Sequence, residues 1–401
     1  MKWVSCLSTK VSLEAAVQDL AVQVLAGLGS NVPDLGLLFV SSAFASDFSR
    51  LLPLLTAEIE IPYLIGCSGS GVVAHREELE DQPAIALMVG HLPDVSLRVF
   101  HLEESDLPDL DSPPDRWQEC VGISGTSQPN FVLLADAFSF PINDFLQGLD
   151  YAYPAAVKVG GLASSGGLDA NTLFAIVEGG SPKLHRHGLL GLGFWGDLTL
   201  DAIVAQGCRP IGRVMQISEC DRNLILSLEG KPPLRVLQDI INDLSSGDRE
   251  LAQHSLFVGV VTNEFKSAPE PGDFLIRNII GVDPRTGVIA VGDRLRSGQR
   301  VQLHLRDAQA SAQDLRDALE RYTNYVSPDA EVAAALMFSC VGRGERLYGK
   351  SNFDSQQLRE YLGSIPLSGF FCSGEIGPVA DVTYLHGYTT VLGILRPRQG
   401  T

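Results

Sequence analysis

The sequence predicts a mixed α/β protein built from repeated strand–helix–strand units. Hydrophobic residues make up 45% of the 401 residues and charged residues 19%, which provides a sizeable core and excludes a disordered chain. One pattern then occurs three times: an apolar run, a polar segment with helical spacing, and a second apolar run that ends in a Gly/Ser loop. The copies span residues 35–74, 130–167 and 333–379. This repetition predicts mixed sheets distributed over two pseudo-related domains.

Each copy has the pattern of a strand, a helix and a second strand. The apolar runs are short, continuous and bounded by turn residues, as buried strands are. In the first copy, the apolar residues at helical spacing are Phe48, Leu51, Leu52 and Leu55. In the third copy, Asp354 or Ser355 is predicted to be the helix N-cap. Glycine-rich loops after such strands are where ligands usually bind in open α/β sheets.

Further strands and one helix are predicted between and after the first copies. The predicted elements are two antiparallel-looking strands within 83–100, a hairpin within 173–194, a second hairpin within 274–293, a strand at 301–306 and a helix at 311–325. A break near residues 230–233 separates two Gly-loop copies from the third. It divides the chain into predicted domains of residues 1–230 and 231–401.

Charge and composition exclude several classes of partner. With 30 basic and 48 acidic residues the net charge is −18, which disfavours nucleic acids and anionic membranes. Seven cysteines without a C-x-x-C pair predict free thiols in a reducing cytoplasm. The N-terminal segment lacks the apolar run of a signal peptide, and no apolar stretch approaches 18 residues. We therefore expect a cytoplasmic protein with no membrane insertion and no nucleic-acid partner.

The three Gly/Ser loops are the leading candidates for ligand binding. Their backbone N–H groups and serine hydroxyls can hold a carboxylate or a phosphate, and glycine allows a ligand to approach the backbone. The candidate residues are Gly66, Cys67, Ser68, Gly69 and Ser70 in the first loop, Gly161, Ser164 and Ser165 in the second, and Cys372, Ser373, Gly374 and Glu375 in the third. The alternative is that these segments are tight turns with nothing bound.

Two further pairs of residues are candidates in the middle of the chain. Arg209, after Cys208 in a glycine-flanked segment, is a natural bidentate partner for a ligand carboxylate, although it could equally pair with an acidic side chain. Arg277 and Asn278 lie within an apolar strand, where polar groups need partners from the protein or from a ligand.

Three other patterns are weaker. Residues 344–351 match the spacing of a phosphate-binding loop, but the bulky central residues and Glu345 disfavour nucleotide binding. His185 and His187 share one face of a strand with no adjoining acidic or cysteine ligand, so no metal site is predicted. Cys67 or Cys372 would be a nucleophile only if a nearby base or cation lowered the thiol pKa.

Several segments resemble the FIST family, whose members carry a FIST domain followed by a FIST-C domain. The opening Trp3-x-Ser5-x-Leu7-Ser8 is similar to the start of the family. The segments 65–71, 160–164 and 206–212 are similar to the first domain, and 275–278, 281–284, 287, 291–293 and 371–378 to the second. Segment 206–212, with the sequence Gln-Gly-Cys-Arg-Pro-Ile-Gly, is the most distinctive. The resemblance covers nearly the whole chain.

The resemblance implies a cytoplasmic sensory module that binds a small polar ligand, with amino acids suggested for the family. We therefore predict a non-enzymatic protein that passes a signal to a downstream protein of unknown identity, with no cofactor. Three alternatives stay open: a cysteine-dependent enzyme using Cys67 or Cys372, a haem-binding gas sensor, and a scaffold whose acidic surface meets a basic partner.

Overall fold

The computed structural model describes residues 1–165, 171–270, 272–327 and 330–398. The chain divides into two compact units. The first unit contains residues 1–204 and 318–401, and the second contains residues 205–317. The second unit is therefore an insertion between two parts of the first. The division of the sequence at residue 230 concerns family domains rather than compact units, and it stays a prediction.

The elements are numbered in chain order. The strands are β1 (Lys2–Ser8), β2 (Leu35–Ser41), β3 (Tyr63–Gly69), β4 (Gly71–Ala74), β5 (Glu77–Glu80), β6 (Ile85–His91), β7 (Val95–Leu102), β8 (Asn130–Ala135), β9 (Lys158–Leu162), β10 (Leu173–Ile176), β11 (Lys183–His185), β12 (Leu189–Gly196), β13 (Leu198–Ala205), β14 (Cys208–Asp221), β15 (Leu224–Leu228), β16 (Leu256–Val261), β17 (Phe274–Val282), β18 (Ile289–Val291), β19 (Arg300–Arg306), β20 (Ala334–Cys340), β21 (Leu367–Cys372), β22 (Glu375–Val379), β23 (Val382–His386) and β24 (Thr390–Pro397). The helices are α1 (Leu13–Leu28), α2 (Phe48–Glu58), α3 (Pro114–Val121), α4 (Ile142–Ala152), α5 (Pro233–Asn242), α6 (Ser246–Ala252), α7 (Ala308–Tyr325), α8 (Glu345–Tyr348) and α9 (Phe353–Leu362).

Three segments of the first unit share one order of elements. Each has an outer strand, a helix, a parallel strand pair around a second helix, a short hairpin and a final strand. The first segment runs from β1 to β6, the second from β7 to β12, and the third contains β13 and β20–β24. The predicted mixed α/β class and its three strand–helix–strand copies are confirmed. The inserted unit begins at the last residue of β13 and ends within α7.

The three segments exchange their hairpins. Sheet 1 has the strand order β1-β6-β2-β3-β10-β11, sheet 2 has β7-β12-β8-β9-β22-β23, and sheet 3 has β13-β24-β20-β21-β4-β5. The hairpin that follows β3 thus joins sheet 3, the hairpin that follows β9 joins sheet 1, and the hairpin that follows β21 joins sheet 2. Every sheet consequently contains strands from two segments or more.

Local pattern predicted the strands better than their partners. The two strands within 83–100 exist as β6 and β7, but β6 pairs with β1 and β2 whereas β7 pairs with β12. The hairpin predicted within 173–194 consists of β10 and β11, and β12 belongs to another sheet. These differences arise because the apolar pattern of a strand does not specify its neighbour.

The N-cap predicted for the helix of the third copy was wrong. Helix α9 begins at Phe353 with Asn352 as its N-cap, and Asp354 and Ser355 lie inside the first turn. Asp354 is buried there because its carboxylate forms an ion pair with Arg343, which is also buried, with Nε 2.8 Å from Oδ2. A buried ion pair of this kind has no local sequence signal.

The first unit is stabilised by layers of apolar packing on both sides of its sheets. An inner cluster combines residues of all three sheets, including Phe39, Val132, Phe338 and Phe370. Helices α1 and α2 cover the outer face of sheet 1, and α3 and α4 cover that of sheet 2. The Phe39 and Phe370 rings stack at the centre with centroids 5.2 Å apart.

The second unit is a closed barrel with strand order β14-β15-β18-β17-β16-β19. Its core contains Met215, Ile225, Val258, Val301 and Leu303, and helix α5 packs against it through Val236 and Leu237. The predicted hairpin within 274–293 corresponds to β17 and β18, and the predicted strand at 301–306 to β19. Helix α7 begins three residues before the predicted start at 311 and ends as predicted at Tyr325.

Candidate functional site

The three Gly/Ser loops meet in the first unit and hydrogen-bond to one another. Ser164 lies between the other two loops, since its Oγ accepts a hydrogen bond from the Ser70 N–H at 3.0 Å and donates one to the Phe371 carbonyl. The Ser164 N–H also donates to the Ser68 carbonyl at 3.2 Å. The repetition seen in the sequence therefore brings the loops of all three segments to one place.

The second and third loops are joined just as closely. The Leu162 N–H donates to the Gly374 carbonyl at 2.8 Å, and the Ser373 N–H donates back to the Leu162 carbonyl at 3.0 Å. A Cβ added at Gly161 would lie 2.9 Å from Cys372 Cβ. The glycine at this position thus allows two strands to approach, which is a structural reason for its presence.

A cluster of polar side chains lies beside the second Gly/Ser loop. The Ser165 N–H donates to Asn171 Oδ1 at 2.8 Å, and Asn171 Nδ2 donates to Asp136 Oδ1 at 2.8 Å. The buried Oγ of Ser165 and Oγ1 of Thr172 have no hydrogen-bond partner within the described ranges. Residues 166–167, the end of the predicted loop, lie outside those ranges.

The two loop cysteines lie in surroundings that disfavour the thiolate form. Cys67 and Cys372 are completely buried, and burial raises the pKa of both thiols well above the ordinary value. The Glu375 carboxylate raises the pKa of Cys372 further, and it accepts a hydrogen bond from the Cys372 thiol at 3.5 Å. The other carboxylate oxygen of Glu375 accepts from the Thr389 N–H at 3.0 Å. A reactive thiol needs the opposite environment, with a neighbouring cation or base.

Arg209 lines a groove of about 470 Å³ in the second unit. Its Nε donates to Asp307 Oδ2 at 2.9 Å, and its Nη2 is paired with Asp248. Cys208 lines the same groove and is partly exposed. Arg209 therefore pairs with acidic side chains and also borders an open cavity. A ligand role for Arg209 stays a prediction.

Arg277 and Asn278 have structural partners in the barrel. Arg277 Nε donates to Asp293 Oδ2 at 2.6 Å, and its Nη1 donates to the Ile276 carbonyl at 3.2 Å. The Asn278 carbonyl accepts a hydrogen bond from the Gly292 N–H at 2.9 Å. These contacts connect β17 to the segment after β18, and a ligand role for the pair stays a prediction.

The segment with phosphate-loop spacing faces a carboxylate of the protein itself. Residues 345–348 form the short helix α8, and the Glu345 N–H donates to a carboxylate oxygen of Glu80 at 2.8 Å. Lys350 Nζ lies 4.7 Å from the centroid of the Phe353 ring. A carboxylate therefore sits where a phosphate would have to approach, which agrees with the sequence-based interpretation against nucleotide binding.

His185 and His187, at and just after the end of β11, have neighbouring groups in the first unit. His185 stacks on His101 with ring centroids 3.7 Å apart, and His101 Nε2 is 2.9 Å from the His187 carbonyl oxygen. Burial, followed by the charge of His101, lowers the pKa of His185 to about 4. The neutral His185 ring is thus packed against a second ring.

A buried charged cluster was missed in the sequence. Arg343 and Asp354 form an ion pair with fully buried side chains, and Thr390 Oγ1 donates to Asp354 Oδ2 at 2.8 Å. Glu78 of β5 lies beside this pair, and its Oε1 accepts from the Ser355 N–H at 2.7 Å. Burial and the charge of Asp354 raise the pKa of Glu78 to about 7. The cluster connects the exchanged hairpin of the first segment to α9.

Comparison with protein families gives two matches. A FIST N domain matches residues 34–231 and a FIST C domain matches residues 233–378. The chain belongs to the FIST family. FIST domains are generally sensory, ligand-binding domains. The two matches together span nearly all of the repeated segments and the whole inserted barrel.

This FIST protein aligns over nearly its full length with bacterial relatives. The uncharacterized protein Rv0628c of Mycobacterium tuberculosis is 34% identical over 394 residues, covering 97% of this chain and 98% of that protein. The uncharacterized protein Mb0898c of Mycobacterium bovis is 33% identical over 400 residues, covering 98% and 97%. F-box only protein 22 of Homo sapiens is 36% identical over 76 residues, which is 15% of this chain and 19% of that protein.

Among solved structures, a cyanuric acid hydrolase from A. caulinodans aligns with 99% of this chain and 100% of that one. The TM-score is 0.33 and the identity 10%.

Within the described part of this FIST protein, no helix is both long enough and apolar enough to cross a membrane.

Proposed function

We propose that this FIST protein is a non-enzymatic sensor that binds a small zwitterionic metabolite, such as an α-amino acid, in the Arg209 groove. The observation that carries the proposal is that a guanidinium group and carboxylates line one cavity of about 470 Å³. Ligand pockets in proteins commonly have volumes of about 300–1,000 Å³. An amino acid, whose two charges are fixed close together, matches such a surface.

Arg209 supplies the cationic side of the groove. Its hydrogen bonds to Asp307 and Asp248 use Nε and one donor of Nη2. Its Nη1 makes no hydrogen bond to any residue that the structure describes, and the side chain is 36% exposed. Since a guanidinium has five N–H donors, this outer edge can still bind a carboxylate with two hydrogen bonds. The two aspartates hold the plane of the guanidinium in place.

Helix α7 supplies the anionic side. Asp314 and Asp317 line the groove, together with the side-chain amide of Gln313. Asp314 Oδ2 accepts from the Gly207 N–H at 2.8 Å, and Gln313 Nε2 donates to Asp317 Oδ1 at 2.6 Å. Both side chains are thus held in place, and the second carboxylate oxygen of Asp317 can accept a hydrogen bond from an ammonium group.

The mixture of charges would give specificity for a zwitterion. A simple carboxylate is repelled by Asp307, Asp314 and Asp317, whereas a simple amine is repelled by Arg209. The Gly/Ser loops of the first unit are a weaker candidate, because the N–H groups of Ser70, Ser164 and Ser165 already donate to protein oxygens. Ligand binding would change the output only if one conformation binds the ligand better than another.

The test is calorimetric titration of the intact protein with the common α-amino acids. For each amino acid that binds, the matching amine without a carboxylate and the matching acid without an amino group are titrated in parallel. We expect both truncated compounds to bind at least about tenfold more weakly, because each loses one charged contact. Equal affinity for either truncated compound would overturn the zwitterion assignment.

Two variants locate the site. Arg209→Gln and Asp317→Asn should each weaken amino-acid binding about tenfold or more. Asp317→Asn leaves the ion pairs of Arg209 in place, so it remains informative if Arg209→Gln impairs folding. The matched control is Arg213→Gln, since Arg213 lies on the same strand and pairs with Glu229 outside this groove. Unchanged affinity in both groove variants would remove the ligand from this site.

A further inference from the structure

A second cavity of the barrel unit has a different chemistry. It has a volume of about 480 Å³ and lies between β14 and α5. Its floor is apolar and is formed by Met215, Val236, Ile240 and Leu244. This site, which we call the α5 cleft, shares no lining residue with the Arg209 groove.

The cleft lies beside an irregularity in β14. The pairing of β14 with β19 shifts register between Ile211 and Met215, which marks a bulge. Gly212 lies in the bulge with φ +62°, and a Cβ there would be 3.0 Å from Ile240 Cγ2. The left-handed backbone and the close approach of Ile240 therefore both favour glycine at this position. This residue is also the last of the distinctive 206–212 segment.

The barrel below the cleft is almost completely filled. Met215 and Val236 also border an internal apolar space of about 10 Å³, which lies between them and side chains such as Leu228 and Ile289. A water molecule needs at least about that volume, together with polar partners. A bound molecule would consequently stay in the open cleft and contact Met215, Ile240 and Leu244 from outside.

The charges at the rim are unevenly distributed. Arg213 and Glu229 neutralise each other in a two-point ion pair. Asp239 and Asp243 lie one turn apart on α5 and its C-terminal end, both exposed, and within the described ranges neither carboxylate has an ion-pair partner. Like charges at this spacing repel each other. Lys231 precedes the first turn of α5, whereas Asp239 and Asp243 lie in its last turn and at its C-cap, so the C-terminal end of α5 attracts cations.

We propose that the α5 cleft is a binding site for a small amphipathic amine. The ammonium group would lie against Asp239 and Asp243, and the apolar part would cover Met215 and Ile240. Carboxylates above an apolar surface satisfy both ends of such a molecule, whereas a carboxylic acid of the same size would meet like charge. This site is additional to the amino-acid groove and does not depend on it.

The experiment is a ligand-observed NMR titration of the full chain with four six-carbon probes: hexyltrimethylammonium, hexylamine, 1-hexanol and hexanoate. We expect both cations to bind at least about tenfold more tightly than hexanoate, with hexanol between them. Equal binding of hexanoate and the cations would overturn the proposal.

Variants separate the two contributions to binding. The double variant Asp239→Asn/Asp243→Asn should lower the affinity for hexyltrimethylammonium about tenfold and leave hexanol unchanged. Ile240→Ala should weaken both probes. The charge-matched control, Glu58→Gln/Glu60→Gln, removes two exposed carboxylates of the first unit and should change neither. Unchanged affinity for the ammonium probe in the aspartate variant would contradict the assignment.

Two further outcomes keep the proposals distinct. Arg209→Gln should leave the probe titration unchanged, and the aspartate double variant should leave amino-acid binding unchanged, so either site can fail alone. A basic amphipathic peptide that displaces the probe and binds at least a hundredfold more tightly would assign the cleft to a protein partner and overturn the small-molecule proposal.

Discussion

The two loop cysteines differ in burial from three of the other five thiols of the chain. Cys67 and Cys372 are fully buried, whereas Cys120, Cys208 and Cys220 are partly exposed. Since the thiolate is the reactive form, burial that raises the thiol pKa suppresses alkylation. The loop cysteines therefore provide a direct test of the enzyme alternative.

We predict that iodoacetamide labels Cys208 and Cys220 in the native protein at neutral pH, and Cys67 and Cys372 only after denaturation. Mass spectrometry of peptides from a labelling time course measures this. The denatured sample is the control for intrinsic reactivity. Rapid labelling of Cys67 or Cys372 in the native state would instead support a nucleophilic cysteine.

Gly161 gives a prediction about loop packing. Gly161→Ala would place a Cβ 2.9 Å from Cys372 Cβ and 3.2 Å from the Phe370 ring. We expect the variant to lower the free energy of unfolding by about 1–3 kcal/mol, as overpacking does. Urea denaturation measures the change. Gly387→Ala is the control, because no atom lies within 4 Å of its added Cβ. Equal stability of the two variants would show that the loops rearrange to accommodate the extra methyl group without loss of stability.

Sequence reasoning worked well for residues whose role depends on a local pattern. The glycine and serine residues around positions 69 and 164 were identified because they interrupt apolar runs. Glu78 and Arg343 were missed because they meet only through tertiary structure, 265 positions apart in the chain. The signal that could have indicated the α5 cleft is the amphipathic spacing of Val236, Ile240 and Leu244.

At the scale of elements, the buried cluster ties β5 to the start of α9. Arg343 pairs with Asp354, so its charge offsets only part of the cost of ionising the buried Glu78. Burial opposes ionisation of Asp354, but the charge and hydrogen bonds of Arg343 outweigh it and hold the pKa of Asp354 below the ordinary value. Glu78 Oε2 has no hydrogen-bond partner in the described part of the chain. The protonated form of Glu78 is therefore favoured.

This cluster predicts a pH dependence of stability. The pKa of Glu78 rises from 4.5 to about 7 on folding, so its contribution is fully present below pH 4.5 and is lost as the pH rises through 7. Relative to Glu78→Gln, the wild-type protein should lose on the order of 3 kcal/mol between these limits. Chemical denaturation of both proteins from pH 4.5 to 8 measures the difference.

The neighbouring exposed residue supplies the control. Glu77→Gln removes a carboxylate from the same strand, and its stability should follow the wild-type curve across the pH range. A constant difference between wild type and Glu78→Gln at all pH values would contradict the assigned protonation of Glu78. Helix α9 is the element expected to loosen at high pH, because Glu78 holds its first turn through Ser355.

Elements were predictable where period and turn residues agree. The helix at α2, the hairpin of β17 and β18, and the strand β19 follow directly from their patterns. Strand partners were not predictable, because β4, β10 and β22 each pair in a sheet whose other strands come mainly from a different segment. The inserted barrel was missed as a unit, since its strands have the same apolar pattern as those of the sheets.

For the first unit as a whole, hairpin exchange predicts cooperative unfolding. The three tryptophans of the chain, Trp3, Trp117 and Trp195, lie in the first two segments, and sheet 3 contains none. Leu336 of sheet 3 is completely buried in the inner cluster. The fluorescence of tryptophans that lie outside sheet 3 should therefore report the effect of a substitution at Leu336.

We predict that Leu336→Ala destabilises the first unit by about 2–5 kcal/mol and shifts the tryptophan-fluorescence midpoint in urea accordingly. Fluorescence and far-ultraviolet circular dichroism are compared in one titration, with the second unit contributing only to the dichroism signal. Exposed Val22→Ala in α1 is the control and should change the midpoint little. A tryptophan transition that stays in place would show that the sheets unfold independently.

Hairpin exchange also sets the order in which the protein can fold during synthesis. Sheet 1 lacks its last strand until His185 has been made, sheet 2 until His386, and sheet 3 until Pro397. At about 5–20 residues per second, the apolar edges of the first segment wait many seconds for their partners. The nascent chain therefore exposes unpaired strands that invite aggregation, and shielding by the ribosome or a chaperone is expected until nearly the whole first unit has emerged.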